Sequence, residues 1–459
     1  MKQAAFRSAV VGFAVVLAGC QSLSRKPEPV VEAPPPPPVI QTPVATHTFL
    51  FDPSTDDVVG ELQVTKVQGE DTFSDIARRF NLGYEELVRA NPGVDPWLPG
   101  EGREVVLPTQ FVLPEAPREG LVINLAQLRV FYFPKRAEGE LQKVITHPIG
   151  IGKVGWSTPE GSTKVTAKAK NPTWFPPASV RKEHREAGDP LPSKVPPGPD
   201  NPLGAHMMTL GWPSYLIHGT NKPYGVGMRS SHGCIRFYPE DIAGLYDAIP
   251  VGTKVTVVNQ PFVFGWHHDA MYAQAFPVLE DDSREHPKAA DQLLNAAISN
   301  DMWQKVKLHN ASVDLELVNS MVAKPRGIAM PVSRKQLTID KHIYQARHVE
   351  NELPEGSTWN GKEELLVSAE EFEAARTGVV APAKPAAKKP AAKKPAPVAK
   401  KPATPAAAGS ATPPQQAFDV EKPRAATKPA ATSPAKPAAK TVATTANSGS
   451  AGATTKGSR

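Results

Sequence analysis

Residues 214–236 read Ser-Tyr-Leu-Ile-His-Gly-Thr-Asn-Lys-Pro-Tyr-Gly-Val-Gly-Met-Arg-Ser-Ser-His-Gly-Cys-Ile-Arg. His218 and Cys234 stand 16 positions apart, with glycines at 219, 225, 227 and 233 between them. No helix face joins residues so spaced, and glycine weakens a helix interior. A strand over 214–217, a turn-rich loop and a return strand join them instead. The flanking sequence agrees. Aliphatic and aromatic runs at 121–133 and 144–151, alternation at 163–169 and a short run at 207–210 predict strands. A helix is expected over 239–248 and a last strand over 254–258, which gives a mainly-β domain over 119–259. The proline- and glycine-dense stretch 171–202 is long for a loop in a compact domain and reads as a lid or binding loop.

The same stretch concentrates chemistry. A thiol attacks a carbonyl as thiolate, and a nearby imidazole can take its proton and hold the anion as an ion pair. That makes Cys234 a candidate nucleophile and His218 its base. Gly233 permits close backbone approach, so the Gly233 and Cys234 amides are candidates to receive an oxyanion. Arg236 adds a permanent cation suited to a carboxylate. Three plainer readings stay open: a buried structural cysteine, a structural His218, and a metal site of His218, His232 and Cys234. His267-His268 reads as a surface pair.

A smaller module precedes this domain at 61–108. A short strand at 64–68 ends at Gly69, and Asp71 or Thr72 can cap a helix with Phe73, Ile76, Ala77 and Phe80 at helical spacing. A second helix over 84–90 stops before Asn91-Pro92-Gly93, and a strand over 104–107 ends at Pro108. This βααβ pattern resembles a LysM domain in Val67, Gly69, Asp71, Thr72, Ile76, Ala77, Leu87, Asn91 and the Val105-Val106-Leu107-Pro108 ending. The resemblance implies binding to N-acetylglucosamine polymers, peptidoglycan in bacteria.

His218-Gly219-Thr220 with Ser231-His232-Gly233-Cys234-Ile235-Arg236 resembles the active-site signature of YkuD-type L,D-transpeptidases. Pro117-Arg118-Glu119-Gly120, Asn124-Leu125-Ala126, Pro148-Ile149-Gly150-Ile151-Gly152, Asn171-Pro172-Thr173-Trp174 and Asn201-Pro202-Leu203-Gly204 are similar to the enterobacterial subgroup that attaches an outer-membrane lipoprotein to peptidoglycan. The resemblance implies that Cys234 is the nucleophile, that His218 is base and proton donor, and that the Gly219 carbonyl orients His218. Ser231, His232, Gly233 and Arg236 would line the oxyanion and substrate site. No cofactor or metal is expected. The segment after Pro261 and the tail read as departures from that subgroup.

The N-terminus supplies a compartment. Lys2 and Arg7 precede an apolar run at 9–17 that is too short to span a membrane, so 1–19 reads as a signal peptide. Leu17-Ala18-Gly19-Cys20 resembles the bacterial lipobox, which implies lipidation of Cys20; Gln21 after it favours the outer membrane. The chain holds only 2 cysteines, so this leaves Cys234 without a disulfide partner in an exported protein. Residues 20–60 read as a linker, and its proline-rich spacer at 21–47, with five prolines at 34–38, has a reach of up to roughly 80 Å in polyproline II geometry.

The net charge of +6 is not a basic surface. Residues 381–459 carry 14 Lys or Arg and two acids, near +12, and the remainder, with 38 basic and 44 acidic residues, is near −6. An Ala/Lys/Pro tail of that kind buries no core and reads as disordered, with a tether to anionic polymer as the sharper alternative. Nucleic acid is not an expected partner. Residues 260–380 read as a partly helical accessory region, with helical periods at 286–298 and 368–376.

The expectation is therefore a periplasm-facing, lipid-anchored enzyme that forms 3–3 crosslinks in peptidoglycan or attaches a lipoprotein through a lysine acceptor. The alternatives are a same-fold hydrolase that cleaves crosslinks or anchors, and a non-catalytic peptidoglycan tether.

Overall fold

The computed structural model describes residues 39–43, 46–362 and 372. The leader with Cys20, most of the proline-rich spacer, the tail and, Phe372 apart, the helix expected at 368–376 lie outside the described residues. Among the described residues no helix is long and apolar enough to cross a membrane.

Two strands fall where a linker was expected, β1 (Thr48–Phe51) and β2 (Val58–Gly60). β1 adds to the edge of the catalytic sheet, and Phe51 lies edge-on to Phe133 at 6.5 Å. Four residues are too few for a period to show in sequence, so only the tertiary pairing reveals them. The LysM module follows as expected: β3 (Gln63–Lys66), α1 (Phe73–Arg79), α2 (Tyr84–Ala90) and β4 (Glu104–Leu107), with β3 and β4 antiparallel. Thr72 caps α1: its hydroxyl accepts from the Asp75 N–H at 3.3 Å, and the Asp75 carboxylate accepts from the Thr72 N–H at 2.7 Å. Asp71 is committed elsewhere, in a buried pair with Arg79 at 2.8 Å. β5 (Gln110–Val112) then pairs with β2.

The catalytic domain comprises β6 (Gly120–Asn124), β7 (Arg129–Phe133), β8 (Gln142–Pro148), β9 (Ile151–Gly152), β10 (Gly161–Lys170), α3 (Ala178–Glu186), β11 (His206–Leu210), β12 (Leu216–His218), β13 (Arg229–Ser231), β14 (Ile235–Arg236), α4 (Pro239–Ala248) and β15 (Lys254–Val258). One nine-stranded sheet runs β1-β8-β7-β6-β15-β10-β11-β12-β14. Its centre is buried on both faces, which explains the unbroken apolar run at 121–133. Leu121, Ile123, Val130 and Tyr132 join the core under α4, while Val122, Phe131 and Phe133 join a core shared with the LysM helices.

One topological expectation fails. β14 runs parallel to β12, with Ile217 opposite Ile235, so it is not a return strand. The 219–234 connection crosses over, and β13 pairs on its way with β9, also in parallel.

The accessory region is partly helical, as expected, and also carries strands. It contains a hairpin of β16 (Phe262–His267) and β17 (Ala270–Ala275), helices α5 (Ala290–Ala297), α6 (Asn300–Leu308) and α7 (Leu315–Ala323), β18 (Met330–Pro331) on β17, then α8 (Ile339–Tyr344) and β19 (Arg347–His348). β19 extends the LysM sheet by pairing with β3, and Asn351 bonds Asp71 and Arg79. The region thus returns to embrace the LysM module.

Polar contacts fix the LysM helices to the catalytic sheet. The Arg129 guanidinium, fully buried on β7, donates to Glu86 of α2 at 2.8 and 2.9 Å. Arg78 of α1 forms a two-pronged pair with Glu240 of α4, 2.7 Å for each bond.

Candidate active site

The parallel pairing of β12 and β14 places the two halves of the motif on neighbouring strands. His218 ends β12, lies opposite Arg236 and is 5% exposed. Its Nδ1 lies 2.6 Å from the carbonyl oxygen of Gly219. A carbonyl only accepts, so Nδ1 carries the proton and Nε2 is left as the basic nitrogen. Burial and the Arg236 cation push the imidazole down to about 3, against a smaller opposing pull from the Gly219 carbonyl. His218 is therefore neutral across the physiological range.

Cys234 precedes β14 and is partly buried. Its Sγ lies 3.7 Å from the Ser214 carbonyl. Burial pushes the thiol above its ordinary range, opposed by a backbone hydrogen bond from Leu216 and by the Arg236 charge. Among the described residues no hydrogen bond joins the Cys234 thiol to His218. Both shifts favour a neutral thiol and a neutral imidazole over the thiolate–imidazolium ion pair read from the sequence. The physical reason is burial, which penalises both charged forms.

Gly233 has φ 99°, and a β-carbon there would sit 3.0 Å from the Tyr215 ring. Its N–H donates to the Ser231 hydroxyl at 3.2 Å, and that hydroxyl donates to the Cys234 carbonyl at 2.5 Å. Ser231 thus shapes the turn under the cysteine. In this state the Gly233 amide, read as an oxyanion donor, is engaged with Ser231. The Thr158 hydroxyl, donating to the Gly233 carbonyl at 2.9 Å, holds the other side.

Arg236 lies on the inner side of the motif. Its main chain exchanges hydrogen bonds with Gly150 at 2.8 and 2.9 Å, and Nη1 donates to the Ser230 hydroxyl at 3.0 Å. Its buried Nε has no hydrogen-bond partner among the described residues. A buried donor left unpaired is costly unless something else accepts from it.

His232 faces the 171–202 segment. The expected loop at 171–202 contains α3, and Glu183 of that helix accepts at 3.0 Å from His232 Nε2 while also pairing with Lys153. Trp156 packs edge-on against the His232 ring at 4.8 Å. Lys153 and His232 pull the Glu183 carboxyl below its usual range, against its own burial. Glu183, Lys153, Trp156 and Thr158 were not picked out from sequence. The signals available were the Gly150-Ile151-Gly152 run just before Lys153 and the proline- and glycine-dense stretch 171–202 that contains Glu183.

The three groups of the alternative metal reading, His218, His232 and Cys234, do not form a ligand cluster among the described residues. His232 is turned to Glu183 instead.

The chain matches the L,D-transpeptidase catalytic domain of the YkuD family over residues 118–257 and the LysM domain over 65–97. It is 36% identical over 302 residues to the probable L,D-transpeptidase YcfS of Escherichia coli K12, covering 64% of this chain and 91% of that one. It is 35% identical over 290 residues to the probable L,D-transpeptidase ErfK/SrfK of Salmonella typhimurium, covering 62% and 91%. A shorter match, 43% over 207 residues, reaches the probable L,D-transpeptidase YbiS of Escherichia coli K12 and covers 44% and 66%. A match over 64% of this chain runs past Pro261 wherever it begins. Part of the accessory region therefore aligns with YcfS. With most of such relatives' length covered at this identity, the chain belongs to the YkuD family of L,D-transpeptidases and carries a LysM domain.

Proposed function

We propose that this transpeptidase acts through a thioester on Cys234. The substrate is a peptidoglycan tetrapeptide stem, cut at the amide between its third residue, a diamino acid, and the terminal D-alanine. The observation that carries the reading is the His218–Gly219 contact at 2.6 Å, on the strand beside the one that Cys234 opens. It fixes the tautomer whose Nε2 can accept the thiol proton.

Because both partners rest neutral, proton transfer accompanies attack rather than preceding it. The Cys234 thiol proton passes to His218 Nε2 as the Sγ–C bond forms. His218 returns that proton to the leaving amine, and D-alanine departs. An amine then attacks the thioester and gives a proton to His218 Nε2; the C–S bond breaks and that proton returns to Cys234 Sγ, which restores the free thiol. A second stem's diamino acid as the amine gives a 3–3 crosslink, and a lipoprotein lysine gives an anchored lipoprotein. The acyl bond energy is retained in the thioester, so no nucleotide is consumed. The buried Arg236 cation lies close enough to act on both His218 and Cys234. The LysM module holds glycan strands, and Cys20 lipid would tether the chain in the envelope facing the periplasm.

Intact-mass spectrometry of the full chain after brief exposure to a defined disaccharide-tetrapeptide tests the mechanism. The expected result is an added tripeptide acyl group on Cys234 with free D-alanine released, both lost in Cys234→Ala. Release of D-alanine by the Cys234→Ala protein would contradict it.

A further inference from the structure

The hairpin between β16 and β17 turns on two residues, His268 and Asp269, with His267 paired to Ala270. Along a strand, successive side chains point to opposite faces. Here the His267 and His268 rings lie side by side, their centroids 4.0 Å apart. A φ of 54° at His268 accompanies that arrangement. Glycine is the favoured residue where a two-residue hairpin turn needs a left-handed first position. Histidine there is strained, and its placement calls for a reason.

Facing the two rings is Asp56, far away in sequence. Its Oδ1 lies 2.8 Å from His267 Nδ1, and its Oδ2 accepts from the Thr55 hydroxyl at 3.0 Å. The backbone on both sides is fixed. The Asp57 N–H donates to the Trp266 carbonyl at 2.7 Å, the Trp266 N–H to the Asp57 carboxylate at 2.9 Å, and the Trp266 indole to the His268 carbonyl at 2.8 Å. The neighbouring carboxylate, Asp57, is taken up by Arg118 and Lys305. Asp56 has the imidazoles.

We propose that Asp56, His267 and His268 form a binding site for a divalent transition cation of the zinc class. One candidate ligand atom from each lies within 4.8 Å of the others. Three points that far apart share a centre about 2.8 Å from each, against roughly 2.0–2.1 Å for a zinc–imidazole bond, so shifts under about 1 Å complete the set. His268 is exposed and free to make that adjustment. Two imidazoles with one carboxylate suit zinc, nickel or copper and disfavour magnesium and calcium. Thr55 holds the carboxylate from behind, as outer partners do in metal sites. The Asp56–His267 hydrogen bond gives way to coordination, and solvent completes the shell. The bound ion clips the accessory hairpin to the turn that joins β1 to β2.

The test uses the full chain in a Cys234→Ala background, stripped with chelator and titrated with zinc chloride by calorimetry, with melting temperature followed in parallel. The expected result is one zinc per chain and a melting temperature that rises with zinc. His268→Gly suits the turn, so it keeps or raises the zinc-free melting temperature; it should weaken zinc binding by at least about tenfold and abolish the zinc-dependent rise. No stoichiometric binding to the stripped chain would overturn the proposal, as would binding unchanged in a His267→Ala/His268→Gly chain.

Discussion

Gly83, which opens α2 of the LysM module, lies directly against Gly227 of the loop that feeds the Ser231–Arg236 motif. A β-carbon on Gly227 would come within 2.2 Å of the Gly83 α-carbon, and Gly227 has φ 78°. The Tyr84 N–H donates to the Val226 carbonyl and the Glu85 N–H to the Gly227 carbonyl, each at 3.3 Å. The LysM module is therefore seated backbone to backbone on the active-site loop.

Gly227→Ala should lower stability by more than about 2 kcal/mol, because backbone strain and a backbone clash add. Gly69→Ala is the control, with φ 51° and open space around its β-carbon position; strain alone predicts about 1 kcal/mol. Denaturant melts of the two variants check this. Equal losses would show that the two modules do not bear on each other at this point.

The buried Arg129–Glu86 pair gives a second prediction. Arg129 is fully buried and Glu86 nearly so, and Glu86 also accepts from the Gly83 N–H at 2.7 Å. Glu86→Leu leaves the buried guanidinium without its counter-charge, held among the described residues only by the Asn81 carbonyl and the Thr146 hydroxyl, and should cost about 3–5 kcal/mol. Adding Arg129→Met should restore part of that loss. Melts of the single and double variants decide it, and a double variant worse than the sum would contradict the account.

The protonation states predict the pH profile of the thiol. His218 is held down to about 3 and Cys234 above its ordinary range. Iodoacetamide labelling of Cys234 should climb about tenfold per pH unit from 6 to beyond 9, since only the thiolate reacts. A plateau through neutral pH would reveal a standing ion pair. His218 also links stability to pH. As pH falls from 6.5 toward about 3, the unfolded chain binds a proton that the folded chain declines, so stability drops across that window.

The organisation of the fold was legible in sequence to the extent that local patterns set it. α2, β4, α4 and β15 coincide with their expected spans because each has its own period and end signals. β1 and β2 escaped, since strands of four and three residues inside a proline-rich segment have no period and exist through their partners β8 and β5. The parallel β12–β14 pairing escaped for a similar reason: strand direction is set by the path of the 219–234 loop, not by residue type. Within the site, His218, Gly219 and Cys234 stand in one motif, whereas Glu183 reaches His232 across 49 positions.

That last contact predicts a lid effect. Glu183→Gln keeps the size of the side chain but loses the charge that faces Lys153 and His232. α3 should open more readily, seen as faster amide exchange over 178–186, and KM for the peptide stem should rise several-fold with a smaller change in kcat. Unchanged exchange and KM would remove Glu183 from any role in closing the site.

Muropeptide mass spectrometry tests the central claim most directly. The full chain and its Cys234→Ala variant are each incubated with peptidoglycan rich in tetrapeptide stems. The account predicts 3–3 linked dimers, or stems whose terminal D-alanine has been exchanged for an added amine, with the active chain only. Identical products from both chains, or only trimmed stems without transfer, would contradict it.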